Sequence, residues 1–133
     1  MTKRTLGCVV VYGVLMASGA LQAHHSLAGV YDMKAQKEIA GTLDKIQFVN
    51  PHGSLSLVVT ADGKDTTWVF TMGSATALAQ RGVGKTGPNA LHTGDKISVK
   101  FIPAKDGAPL GFLQAVTYPD GHTIVVSGGG PNE

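Results

Sequence analysis

From Lys37 onward the chain alternates apolar and polar positions over short stretches, each ending at turn residues. Residues 37–49 (KEIAGTLDKIQFV) place Ile39, Gly41 and Leu43 on one side, then Ile46 and Phe48 on the other. A period of two marks a half-buried strand. The change of phase near Gly41 predicts a bulge or a strong bend. Asn50-Pro51-His52-Gly53 reads as a turn, because proline fixes φ and Asn and Gly accept turn geometries. Residues 55–60 (LSLVVT) form a second strand. Asp62-Gly63 gives a hairpin turn, and residues 66–71 (TTWVFT) a third strand rich in β-branched and aromatic side chains.

The period then changes. Residues 74–82 (SATALAQRG) carry helix-forming alanines, with Ser74 placed to cap the start and Gly82 to stop the end. A Gly/Pro loop follows at 83–90, and residues 96–103 (KISVKFIP) alternate as a fourth strand after a Gly94-Asp95 turn. Residues 110–118 and 123–126 make a final hairpin around Pro119-Asp120-Gly121. The order β-β-β-α-β-β plus one extra strand predicts a mainly β chain, an OB-like small barrel with one short helix between the third and fourth strands. An open sandwich is the alternative. Ser26–Tyr31 is a candidate additional edge strand, and residues 32–36 a turn. No internal repeat is present.

The N-terminal segment has a different pattern. Lys3 and Arg4 precede an uncharged apolar run at 6–17 (LGCVVVYGVLMA), and small residues lead to Ala23. This is the order of a secretory signal. The run is shorter than the roughly 20 apolar residues of a membrane span, so cleavage after Ala23 is expected, with no membrane attachment afterwards. Cys8 lies inside the apolar run, which breaks the order of a lipid-attachment signal. The expected organisation is a leader at 1–23, one OB-like domain at 24–127 and a disordered tail at 128–133. The expected location is periplasmic or secreted.

Composition narrows the chemistry. The chain has 133 residues, of which 15% are charged and 43% hydrophobic, which fits one folded domain rather than a disordered chain. Its net charge of +2 owes two positive charges to Lys3 and Arg4, so residues 24–133 are neutral before the histidines are counted. A neutral body lacks the basic stripe of a nucleic-acid binder, and no nucleic-acid partner is expected. Cys8 is the single cysteine, so cleavage would leave no disulfide, thiolate metal site or Cys nucleophile.

Three places carry candidate chemistry. Cleavage would expose His24-His25-Ser26, a free amine beside two imidazoles, and nitrogen donors suit Cu(II) best among the divalent first-row metals. His24 can chelate through its amine and ring, and His25 can add a backbone amide and a second ring. His52, on the turn built by Asn50 and Pro51, could supply a third nitrogen or a general base. A solvated histidine on a tight turn is the plainer reading there. His92 and His122, on loops, form a rival cluster, expected at the barrel end where the first strand starts, with His52 at the other end. Gly82–Gly87 contains Gly-Lys-Thr but lacks phosphate-loop spacing and follows a helix instead of opening one. Ser74 has no nucleophile-elbow context, no pair of carboxylates emerges for acid–base work, and Trp68 alternates with Phe70 as a core residue.

His24-His25-Ser26-Leu27, Tyr31-Asp32, Gly41-Thr42-Leu43, Asn50-Pro51-His52 and Trp68-Val69-Phe70 recur in a further pattern. With Met72-Gly73-Ser74, Arg81-Gly82, Gly94-Asp95 and Asp106-Gly107 they resemble a family of small exported bacterial proteins catalogued only as a domain of unknown function. The resemblance spans nearly all of residues 24–133. It implies export and no established activity, and its pattern includes His24, His25 and His52 but neither His92 nor His122. Gly53-Ser54 stands where the family often carries an aromatic, which removes any aromatic neighbour the resemblance would imply for His52.

The resulting expectation is a non-enzymatic periplasmic binding protein that holds a divalent metal, copper first, through His24, His25 and His52. The rival from another class is a metal-free module whose barrel face binds an envelope protein, a peptide, an oligosaccharide or another small ligand. A copper oxidase or oxygenase is a third reading, against which the scarcity of exposed aromatic signals counts. Oligomeric state is not legible.

Overall fold

The computed structural model describes residues 27–127, so the expected leader at 1–23, His24, His25, Ser26 and the expected tail at 128–133 lie outside the described residues. The chain divides into two compact units, Met1–Val30 and Tyr31–Glu133. In the first, residues 27–30 are helical. The expected strand at Ser26–Tyr31 is therefore corrected. Tyr31 alone makes a β-bridge, to Ala104. The reason is composition: Leu-Ala-Gly-Val has neither the alternation nor the β-branched density that holds an isolated edge strand.

The second unit contains β1 (Lys37–Gln47), β2 (Ser54–Ala61), β3 (Lys64–Thr71), α1 (Ala75–Gln80), β4 (Lys96–Pro103), β5 (Leu110–Thr117) and β6 (Thr123–Val125). The sheet order is β3-β2-β1-β4-β5-β6, and β3 also pairs with β5. That last pairing is parallel, Val69 opposite Leu110 and Thr71 opposite Phe112, while the others are antiparallel. It closes five strands into a barrel, with α1 between β3 and β4 and β6 added beside β5. This is the OB-like architecture.

Local chemistry explains each element. β1 bulges between Leu43 and Lys45, just after Thr42, the residue at which its pairing passes from β4 to β2. Gly41 lies just before it, and a Cβ there would sit 2.7 Å from the Val58 carbonyl oxygen, so only glycine lets β2 approach. β1 stops at Gln47, two residues short of the predicted end, because the Val49 carbonyl accepts the Ala75 N–H and turns the chain toward α1. The β2–β3 hairpin has Asp62 at φ 52° and Gly63 at φ 71°, the paired positive values of a type I′ turn. Ser74 caps α1 by accepting the Ala77 N–H at 3.1 Å. At the other end Gly82 has φ 78°; its N–H reaches the Ala79 carbonyl and that of Val83 the Leu78 carbonyl, a Schellman stop with Leu78 and Val83 both buried.

The inward residues form one core, including Leu43, Leu55, Leu57, Phe70, Phe101 and Leu113. Trp68 is half-buried, stacked on Phe70 at 6.2 Å and edge-on to Phe101 at 5.5 Å. Tyr31 seals the β3–β5 seam: its ring meets Phe112 edge-on at 5.9 Å and its hydroxyl lies 2.9 Å from Thr71 Oγ1.

Candidate functional site

His52 stands exposed on the loop between β1 and β2, after a cis Asn50–Pro51 bond. The loop is anchored by the residue after it. Gly53 N–H donates to the Gly73 carbonyl at 3.1 Å, and the Gly53 carbonyl accepts the Met72 N–H at 2.9 Å. A Cβ at Gly53 would lie 2.5 Å from the Gln47 carbonyl oxygen. This close approach accounts for glycine where the family resemblance suggested an aromatic. Among the described residues the His52 ring has no hydrogen bond, ion pair or ring contact, so both nitrogens face solvent.

The other two described histidines differ. His92 is exposed in the turn before β4; its N–H donates to Asp95 Oδ2 at 2.8 Å, and its Nδ1 lies 3.9 Å from the same oxygen. His122 has both ring nitrogens and its ring engaged. Its Nδ1 bonds Asp120 Oδ1, its Nε2 lies 3.0 Å from Asn89 Oδ1, and its ring stacks on Tyr118 at 4.3 Å. Tyr118 in turn donates its hydroxyl to the Asn89 carbonyl at 2.8 Å. The His122 N–H and then its ring hold the Asp120 carboxyl below its ordinary value. Burial, then the Asp95 charge, push the Tyr118 hydroxyl up.

The structure corrects where this pair lies. His92 and His122 flank the start of β4 and the end of β5, where Ser98 pairs with Thr117. The start of β1 pairs with the end of β4, Lys37 opposite Phe101, so it lies at the far end. Antiparallel pairing of β1 with β4 forces this reversal. Nor do the two rings form a cluster: His122 is committed to Asp120 and Asn89, and His92 faces Asp95. Among the described residues no three His, Cys, Asp or Glu side chains converge as a metal-sized group.

The surface also carries hollows among the described residues. One, of about 520 Å³, crosses the outer sheet face and is lined by Thr42, Thr60, Lys96, Ser98 and Thr117 among others. Lys96 Nζ donates to Thr42 Oγ1 at 2.6 Å and Ser98 to Glu38 Oε1 at 2.8 Å. Another, of about 460 Å³, lies between α1 and the loop after it and includes Phe48, Lys85 and Asn89. Sequence reading missed the Asn89, Tyr118 and Asp120 arrangement around His122. The signal available was the Tyr-Pro-Asp-Gly-His turn itself, which brings residues 118 and 122 together across a hairpin.

The outer face of β2 and β3 presents Ser54, Ser56, Val58 and Thr60 beside Thr71, Val69, Thr67 and Asp65. Among the described residues, no helix is long and apolar enough to cross a membrane.

The barrel closure, the helix position and the loop sites define an OB-like module. Residues 12–114 match the model for the Family of unknown function (DUF6152), and the chain belongs to that family. A comparison with curated proteins finds no match. Among solved structures, the chain is similar to the crystal structure of the mitochondrial single-stranded DNA binding protein Rim1 from S. cerevisiae. The identity is 11%, with 66% of this chain and 97% of that chain covered and a TM-score of 0.48.

Proposed function

We propose that the protein is an exported, non-enzymatic binding module that takes up a divalent metal, copper first, through His24 and His25, with His52 as a further ligand. The observation that supports it is the contrast among the histidines. His52 keeps both ring nitrogens open to solvent, whereas Asp120 and Asn89 occupy those of His122. The leader pattern ending at Ala23 supports an exposed amine on His24 in the periplasm. The amine and ring of His24 form one chelate, and the amide and ring of His25 add a second. Function is capture and delivery or buffering, and affinity falls with pH because each nitrogen must lose its proton to bind.

The test is a calorimetric Cu(II) titration of the form that starts at His24, its mass confirmed, beside a form with one extra N-terminal residue. Tight one-to-one binding that the extension abolishes is expected. His52→Ala should weaken it by about tenfold if one imidazole nitrogen is lost. Equal binding by the two forms, or an EPR spectrum without nitrogen hyperfine structure, would sink the ligand set.

The second reading is a metal-free module for an envelope protein, peptide or oligosaccharide. The hydroxyl-lined hollow around Thr42, Thr60, Ser98 and Thr117 favours it, since such a surface suits a neutral polar ligand. Pull-down from envelope extract discriminates: a partner retained equally by wild type and by His24→Ala supports this reading over the metal.

A further inference from the structure

The hollow between α1 and the loop that follows it has apolar walls: Phe48, Ala75, Ala79 and Pro88. Its volume of about 460 Å³ falls in the range of small-molecule sites. Three side chains that can donate a hydrogen bond join these walls, Lys85, Thr86 and Asn89, and no acidic residue lines the hollow. No carboxylate pairs with Lys85 among the described residues.

Asn89 is oriented from behind. Its Oδ1 faces His122 Nε2 at 3.0 Å, and its main-chain carbonyl accepts the Tyr118 hydroxyl. The amide nitrogen therefore points the other way, toward Gly82, where a Cβ would sit 3.1 Å from it. Among the described residues that nitrogen has no acceptor. A side chain in place of the Gly82 hydrogen would crowd it, and the φ of 78° at Gly82 is reserved for glycine on other grounds. The hollow thus combines an apolar body, an unpaired ammonium and the Asn89 side-chain amide at its edge.

We propose that this hollow binds a small amphipathic monocarboxylate, its hydrocarbon part between Phe48, Ala79 and Pro88 and its carboxylate on Lys85 and Asn89. The charge complement selects the anion: an acceptor-only group matches a lining that carries an ammonium and no competing carboxylate. The size selects a small molecule over a polypeptide. His52, the described member of the proposed metal site, does not line the hollow, and the test below uses no metal, so the two readings fail separately.

Octanoate and octan-1-ol are the probes, followed by ¹H–¹⁵N NMR shifts of the purified protein. Octanoate is expected to give saturable shifts confined to Gly82, Val83, Gly84 and neighbouring amides, at about tenfold higher affinity than octanol. Lys85→Glu should remove that advantage while leaving octanol binding within about twofold. Ala79→Trp, on the exposed side of α1, should block both by filling the hollow. Each variant's own spectrum shows whether it is folded. Shifts that do not saturate, that centre elsewhere, that are equal for acid and alcohol, or that survive Lys85→Glu overturn the proposal.

Discussion

Gly53 shows how one side-chain hydrogen can decide a loop. Its backbone ties the end of β3 to the His52 turn, and a methyl group there would sit 2.5 Å from the Gln47 carbonyl oxygen and 3.0 Å from Met72 Cε. Gly53→Ala should therefore cost about 2 kcal/mol, the scale of forced overpacking. A lower urea midpoint with unchanged slope checks it; an unshifted midpoint would mean that the loop yields freely. Tyr118 gives a pH-dependent case. Its folded-state pKa lies above the ordinary value of 10.0, with burial the larger cause and Asp95 the smaller. Its stabilising contribution is thus intact below that value and lost as pH rises through the raised one. Tyr118→Phe should lose about 1 kcal/mol at neutral pH, from the bond to the Asn89 carbonyl. Its stability should also fall less steeply than wild type above pH 10, as urea unfolding across an alkaline series would show.

At the scale of elements, α1 is the part whose stability rests most on its ends. It has six residues, too few to hold by propagation alone. The Ser74 cap and the Gly82 stop offset this, as does Leu78 in the core. Ser74→Ala should cost about 1 kcal/mol, seen as a fall of about 4–8 °C in Tm. A melting temperature unchanged within error would mean that the tertiary contacts of Leu78 hold the helix without its cap. These ends were legible in the sequence because capping is local chemistry within a few residues. The Asp-Gly hairpin and the alternation of β4 were legible for the same reason. The helical residues 27–30 were not. Leu-Ala-Gly-Val has no period long enough to separate helix from strand, and the expected pairing failed beyond Tyr31.

At the scale of the molecule, closure depends on three rungs of parallel pairing between β3 and β5 and on Tyr31 across them. Tyr31→Ala should cost about 3–4 kcal/mol by opening a cavity beside Phe112. Tyr31→Phe should cost about 1 kcal/mol and raise amide exchange at Val69–Thr71 ahead of β1 and β4. Uniform protection across the sheet in Tyr31→Phe would show that the hydroxyl does not hold the seam. The candidate site divides along the same line. His52 was found from its turn. The Asn89–His122–Tyr118 arrangement joins residues about thirty positions apart, and no local pattern encodes that distance. The ends of the barrel were misassigned for His92 and His122 because strand direction, not loop order, decides which loops are neighbours.

The sequence by itself determined the strands, the capped helix, their order and the choice of barrel class, since alternation, turn residues and caps act over a few positions. It also determined the leader pattern and the histidine pair that follows it. Only the tertiary structure decided which histidine keeps its nitrogens open, which is locked by Asp120 and Asn89, and where a hollow with unpaired donors lies. Those outcomes depend on packing between distant segments, where the close approach of backbones at Gly41 and Gly53 fixes what can lie beside what.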